Sequence, residues 1–112
     1  MVRREKAPAP VAVEALPTGG YPVFKQYLKD SLDYPLKALD DRKEGTVQLT
    51  FTVAVDGTIQ DIKVSRKVSE EIDAEAMRLV REGPKWFPAI RNGRRVPHSV
   101  RISIPFKLED HL

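Results

Sequence analysis

From Thr46 to Val55 the chain alternates without a break: Val47, Leu49, Phe51, Val53 and Val55 are apolar, and the positions between them are Thr, Gln, Thr, Thr and Ala. Successive side chains of a strand point to opposite faces, so period two with β-branched residues means a strand with one buried face. The chain must therefore build a sheet and cover one side of it. Asp56-Gly57 reads as a two-residue hairpin turn with positive φ at both central positions. The returning strand runs from Thr58 to about Lys67, with Ile62 and Val64 on one face. Ile59 is out of phase with them, which calls for a bulge near Gln60.

Two amphipathic helices can supply the cover. Phe24, Tyr27, Leu28 and Leu32 recur at helical spacing from Pro22, a residue tolerated in a first turn. Tyr34-Pro35 ends that helix, because the residue before proline is pushed out of the α region. A short helical piece, Leu36 to Leu39, follows before the charged turn Asp40 to Gly45. The second main helix opens at Ser69-Glu70-Glu71, with Ser69 or Asp73 as N-cap and acidic residues at the positive dipole end. Its stripe is Ile72, Ala76, Leu79 and Val80, and Gly83-Pro84 stops it.

Trp86 to Arg91 is short and extended, and Asn92-Gly93 is a second hairpin turn. One long strand then carries Val96, Val100, Ile102, Ile104, Phe106 and Leu108 on its apolar face, with Ser99, Arg101, Ser103 and Lys107 opposite. Pro97 and Pro105 fall within it. Proline cannot donate to a ladder, so Pro105 makes this strand an edge.

The element order is α-β-β-α-β. The hairpin makes the first two strands antiparallel neighbours, and a right-handed crossover through the helix leaves the first strand central. The predicted fold is α+β: a three-stranded antiparallel sheet with two helices packed on one face. The odd face from Val47 to Val55 packs with Val100, Ile102, Ile104 and Phe106 beneath those helices.

At 112 residues the chain holds one domain, and residues 1–20 are Pro/Ala-rich and read as a linker ahead of a domain over 21–112. The chain contains no cysteine, so thiolate metal sites and thiol nucleophiles are excluded. His98 and His111 are the only histidines and share no metal-ligand spacing with each other. His98 reads as a half-buried residue at the sheet rim. Ser65, Ser69, Ser99 and Ser103 lack the glycine context of a nucleophile elbow, and no phosphate-binding glycine loop occurs. No cofactor, metal or enzymatic constellation is expected. A net charge of +3, with no aromatic platform on the outward strand positions, speaks against nucleic-acid binding. What remains is the edge strand, which invites an extended partner segment to add a further strand.

A pattern spread over about ninety residues resembles the C-terminal domain of TonB-type energy transducers. It comprises Gly19-Gly20, Phe24-x-x-Tyr27-Leu28, Tyr34-Pro35-Leu36-Lys37-Ala38, Gly45-Thr46-Val47 through Phe51-Thr52-Val53 to Asp56-Gly57, and Asp73-x-Glu75-Ala76. Trp86-Phe87-Pro88-Ala89, Asn92-Gly93-x-x-Val96 and Ile104-Pro105-Phe106-Lys107-Leu108 complete it. The YPxxA and WxPA pieces resemble the variety common among Bacteroidetes-like sequences.

The resemblance implies a periplasmic domain, tethered through a proline-rich linker to an inner-membrane anchor absent from this chain and coupled to an ExbB–ExbD-type motor. It implies capture of the TonB box of outer-membrane receptors alongside the last strand. Carried onto this sequence, the partner-binding positions are Tyr34, Pro35 and Leu36 at one end, and Arg101, Ile102, Ser103, Ile104 and Phe106 along the edge. Trp86 and Pro88 are expected to support the fold. The alternative is a non-transducing envelope interaction module in which two copies pair as a homodimer through the edge strand.

Overall fold

The structure is a computed structural model that describes residues 13–111. Its centre is the strand the alternation predicts: β2, Gly45–Val53, with Val47, Leu49, Phe51 and Val53 buried. It pairs antiparallel with β3 (Ile59–Arg66) on one side and β7 (His98–Phe106) on the other, so the sheet order is β3-β2-β7. Helices α1 (Gly20–Ser31), α2 (Leu36–Asp40) and α3 (Glu70–Arg81) complete the α+β fold. Phe24 from α1 and Ile72, Ala76, Leu79 and Val80 from α3 join the odd face of β2 and Val100, Ile102, Ile104 and Phe106 of β7 in one core. Ser69 caps α3, its hydroxyl accepting from the Ile72 N–H at 3.2 Å, while Asp73 reaches back to accept from the Val68 N–H at 2.9 Å.

Four local expectations change. Val55 is exposed, because β2 ends at Val53 and Val55 lies in the turn. That turn holds three residues: the Gly57 N–H donates to Ala54 C=O and the Ala54 N–H to Thr58 C=O, both at 2.9 Å. Only Gly57 of the Asp56-Gly57 pair takes a positive φ, +87°. Asp56 instead caps the turn, its Oδ1 accepting from the Thr58 N–H at 3.0 Å and from the Thr58 hydroxyl at 2.7 Å. These two bonds hold the Asp56 carboxyl below its ordinary range.

The third change concerns β3, where the bulge expected near Gln60 is present and a second irregularity joins it. Thr50 faces Lys63 and Thr52 faces Gln60, so β3 fits an extra residue between those rungs, and Asp61 stands there at φ 53°. A second irregularity separates Gln48↔Arg66 from Leu49↔Val64. The β3 edge is thus kinked twice.

Fourth, Pro97 divides the long strand. Val96 pairs with Ala89 in a small hairpin of β5 (Ala89–Arg91) and β6 (Arg94–Val96), and β7 begins at His98. Its turn is the expected one, with Asn92 at φ 52° and Gly93 at φ 74°.

Of the segment read as a linker, residues 1–12 lie outside the described residues. Its remainder is partly packed: β1 (Leu16–Pro17) pairs antiparallel with β4 (Trp86–Phe87), Val13 bridges Ile90, and Ala15 and Pro17 are buried. Trp86 is buried at the meeting point, its ring edge-on to Phe24, Phe51 and Tyr21 at centroid distances of 5.4, 5.2 and 5.9 Å.

Candidate functional site

Along β7 the apolar side chains of Val100, Ile102, Ile104 and Phe106 turn into the core, while Ser99, Arg101, Ser103 and Pro105 stand exposed on the other face. The main chain alternates as well, at right angles to the side chains. β7 runs in unbroken antiparallel register with β2, from Val53↔His98 to Gly45↔Phe106, and Thr46 sits opposite Pro105. Proline has no N–H, so Thr46↔Pro105 is a non-hydrogen-bonded pair. The bonds to β2 therefore belong to His98, Val100, Ile102, Ile104 and Phe106. The N–H groups of Ser99, Arg101 and Ser103, and the C=O groups of these three and Pro105, point away from β2. Among the described residues no strand pairs with that side.

The eight predicted partner-binding residues thus separate into different roles. Arg101 and Ser103 offer both main-chain groups and exposed side chains at the edge. Ile102, Ile104 and Phe106 spend their main chain on β2 and bury their side chains in the core, so they hold the edge straight. Ser99 and Pro105 contribute edge groups that a search for exposed functional side chains misses. The signal that finds them is the parity fixed by Pro105.

The other three positions lie at the far end of β7. Helix α1 stops at Ser31, Leu32 turns extended, and Pro35 caps α2. Between them Tyr34 is buried, its ring edge-on to Phe106 at 5.6 Å and to His111 at 4.9 Å, with its hydroxyl donating to Lys43 C=O. Burial, then the charge of Glu44, raises the Tyr34 hydroxyl above its ordinary pKa. Leu36 is 75% exposed, the most exposed large apolar residue described. A hollow of about 440 Å³ lined by Glu44, Gly45, Thr46, Phe106, Lys107 and Glu109 adjoins this end. Tyr34 and Phe106 meet directly, so the structure brings one residue of each predicted group together.

An ion pair between buried Glu75 and half-buried Arg78 fixes the approach to Tyr34. Glu75 Oε2 accepts from the Asp33 N–H at 2.7 Å, and Arg78 donates through Nε and Nη2 to Glu75 at 2.7 Å each and through Nη2 to Ser31 C=O at 3.1 Å. The bonds that Arg78 donates to Glu75 favour the charged guanidinium further. Helix α3 thus satisfies main-chain groups left open where α1 ends. The family pattern includes Glu75 but gives no sign that it acts together with Arg78. Among the described residues no group of three or more His, Asp or Glu side chains is placed to hold a metal ion.

The profile of the family described as Gram-negative bacterial TonB protein C-terminal matches residues 30–108. The chain belongs to the TonB C-terminal family. Its matched span runs from the last turn of α1 past the end of β7, and so contains both groups of candidate residues. Two solution NMR structures of the Helicobacter pylori TonB C-terminal domain resemble this fold, each with TM-score 0.55 and 22% identity. They cover 75% and 77% of this chain and 76% and 95% of their own chains. The solution NMR structure of the Pseudomonas aeruginosa TonB C-terminal domain has TM-score 0.54 and 32% identity over 69% of this chain and 78% of that one. No curated protein matches the sequence.

Proposed function

We propose that this TonB C-terminal domain is the receptor-engaging end of an energy transducer. In the periplasm it captures the TonB box of an outer-membrane receptor as an added strand on β7. An upstream inner-membrane anchor, associated with an ExbB–ExbD-type motor, then transmits work from the proton-motive force to the receptor, and substrate enters. The domain's part is non-enzymatic: it binds, bears load and releases.

The observation that carries this reading is the outward main chain of Ser99, Arg101, Ser103 and Pro105 on a strand whose other side is the regular β2 ladder. The opposite edge of the sheet is a poorer template, since β3 is irregular at two places. A captured strand gains about 0.5–1.5 kcal/mol net for each main-chain bond. The few bonds available, less the cost of ordering the segment, give an affinity on the order of micromolar or weaker. That strength suits a connection made and broken repeatedly.

The test is an NMR titration with synthetic peptides copying the N-terminal periplasmic segments of outer-membrane receptors. Shifts concentrated in the amides of Ser99, Arg101 and Ser103 are expected. The reading is overturned by peptides that leave those amides unmoved, or by a tight dimer in sedimentation whose β7 amides are already protected by a second copy.

A further inference from the structure

We infer that Arg101 makes the β7 edge selective for an extended segment carrying a carboxylate at the outward-facing position opposite it, an inference that rests on the strand-capture reading above. The outer face of the sheet reads in rows. Gln60, Thr52 and Ser99 form one, Lys63, Thr50 and Arg101 the next, and Arg66, Gln48 and Ser103 the third. The charged members of these rows are all cations. The carboxylate on these strands, Asp61, sits at the bulge of β3, two strand spacings or about 10 Å from β7.

Arg101 is exposed, and among the described residues it takes part in no side-chain hydrogen bond or ion pair with a carboxylate. Toward β2 its neighbour is the Thr50 hydroxyl, and beyond that stands the like charge of Lys63. Its own ladder neighbours on the outer face are Ser99 and Ser103. Among the described residues no carboxylate pairs with it, and the side left open to one is the free edge. Because the N–H and C=O of Arg101 both face that edge, a strand captured antiparallel to β7 places one residue in a hydrogen-bonded pair with it, Cα atoms about 5.5 Å apart, side chains on the same face. An Asp or Glu there meets the guanidinium fork. A Lys or Arg there meets repulsion from Arg101 and, farther off, from Lys63. On the inner face the added strand lies beside Val100, Ile102 and Ile104, so the recognised segment alternates apolar positions with polar ones and carries its acid in the polar phase.

The experiment uses the full chain and four eight-residue peptides of alternating Val and Thr. In three of them one central Thr is replaced by Asp, Asn or Lys; in the fourth an Asp replaces a central Val. Dissociation constants come from the amide shifts of Ser99 to Ser103. The peptide with Asp in the Thr phase is expected to bind about three- to tenfold tighter than its Asn and Lys counterparts, with the advantage shrinking as salt is raised. Asp in the Val phase gains nothing. Arg101→Gln removes the Asp preference and Arg101→Glu reverses it in favour of Lys. Equal affinity of the native chain for Asp and Lys peptides overturns the inference while leaving strand capture intact, as does an unchanged preference in Arg101→Glu. Absence of binding by all four peptides overturns strand capture and this inference together.

Discussion

The ring of Tyr34 stands edge-on to Phe106, centroids 5.6 Å apart and planes at 71°, and its hydroxyl donates to Lys43 C=O. One side chain thereby ties the loop ahead of α2 to the last residue of the edge strand.

Replacing that ring separates its two contributions. Tyr34→Phe keeps the aromatic contact and loses one hydrogen bond, an expected cost of about 0.5–1.5 kcal/mol. Tyr34→Ala opens the core against Phe106 and should cost about 3–5 kcal/mol. Urea unfolding of both variants checks this; an Ala variant as stable as the native chain contradicts the packing described.

Gly57 and Gly93 both take positive φ, yet their surroundings differ. A Cβ on Gly57 would lie 2.3 Å from the Trp86 carbonyl oxygen, whereas one on Gly93 meets nothing within 4 Å. Gly93→Ala should cost only the left-handed conformation, about 1–2 kcal/mol. Gly57→Ala adds a backbone collision beside the buried tryptophan and should destabilise by clearly more, read as a lower melting temperature than Gly93→Ala. Equal melting temperatures would mean that the turn does not rest on Trp86.

Glu75→Ala removes an acceptor from the Asp33 N–H and from Arg78 at once. Hydrogen bonds to charged groups are worth about 1.5–3 kcal/mol, and Arg78, with 32% of its side chain exposed, recovers part of this from water. A loss of about 1–3 kcal/mol is expected. Faster hydrogen exchange at the Asp33 amide is the accompanying local sign, and an unchanged rate there would exclude the clamp.

The Asp56 carboxylate contributes to stability only while ionised. Its folded pKa lies below the ordinary 3.8, because the Thr58 hydroxyl and N–H donate to it. The contribution is complete above the unfolded pKa and is lost as pH falls through the lower, folded one. The native chain should therefore exceed Asp56→Asn in stability at pH 7, and the gap should close on titration below pH 3.8. A gap independent of pH between 7 and 2 would rule out the ionised cap.

Much of this architecture was legible in residue order. The β2 alternation identified the central strand, the Tyr34-Pro35 step separated α1 from α2, and Pro105 marked β7 as an edge. The packing of Val13 to Pro17 against Trp86 to Ile90 was not legible, because a short proline-bearing segment has no periodicity and its partner lies about seventy residues away. The three-residue turn at Val55 to Gly57 escaped for a different reason: Asp-Gly suits either turn length. At the site, an exposed Arg101 followed from the pattern. The distinction between residues that face the edge with their main chain and those that face β2 required the register.

Strand capture at this edge rests on the outward N–H groups of β7. Ser103→Pro tests it most directly, since it deletes one such group at the same parity as Pro105 and leaves the ladder to β2 intact. With a receptor N-terminal peptide in an NMR titration, the variant is predicted to bind about three- to tenfold more weakly than the native chain while keeping its fold, as judged by its melting temperature. Undiminished binding by a folded Ser103→Pro domain would contradict capture at this edge.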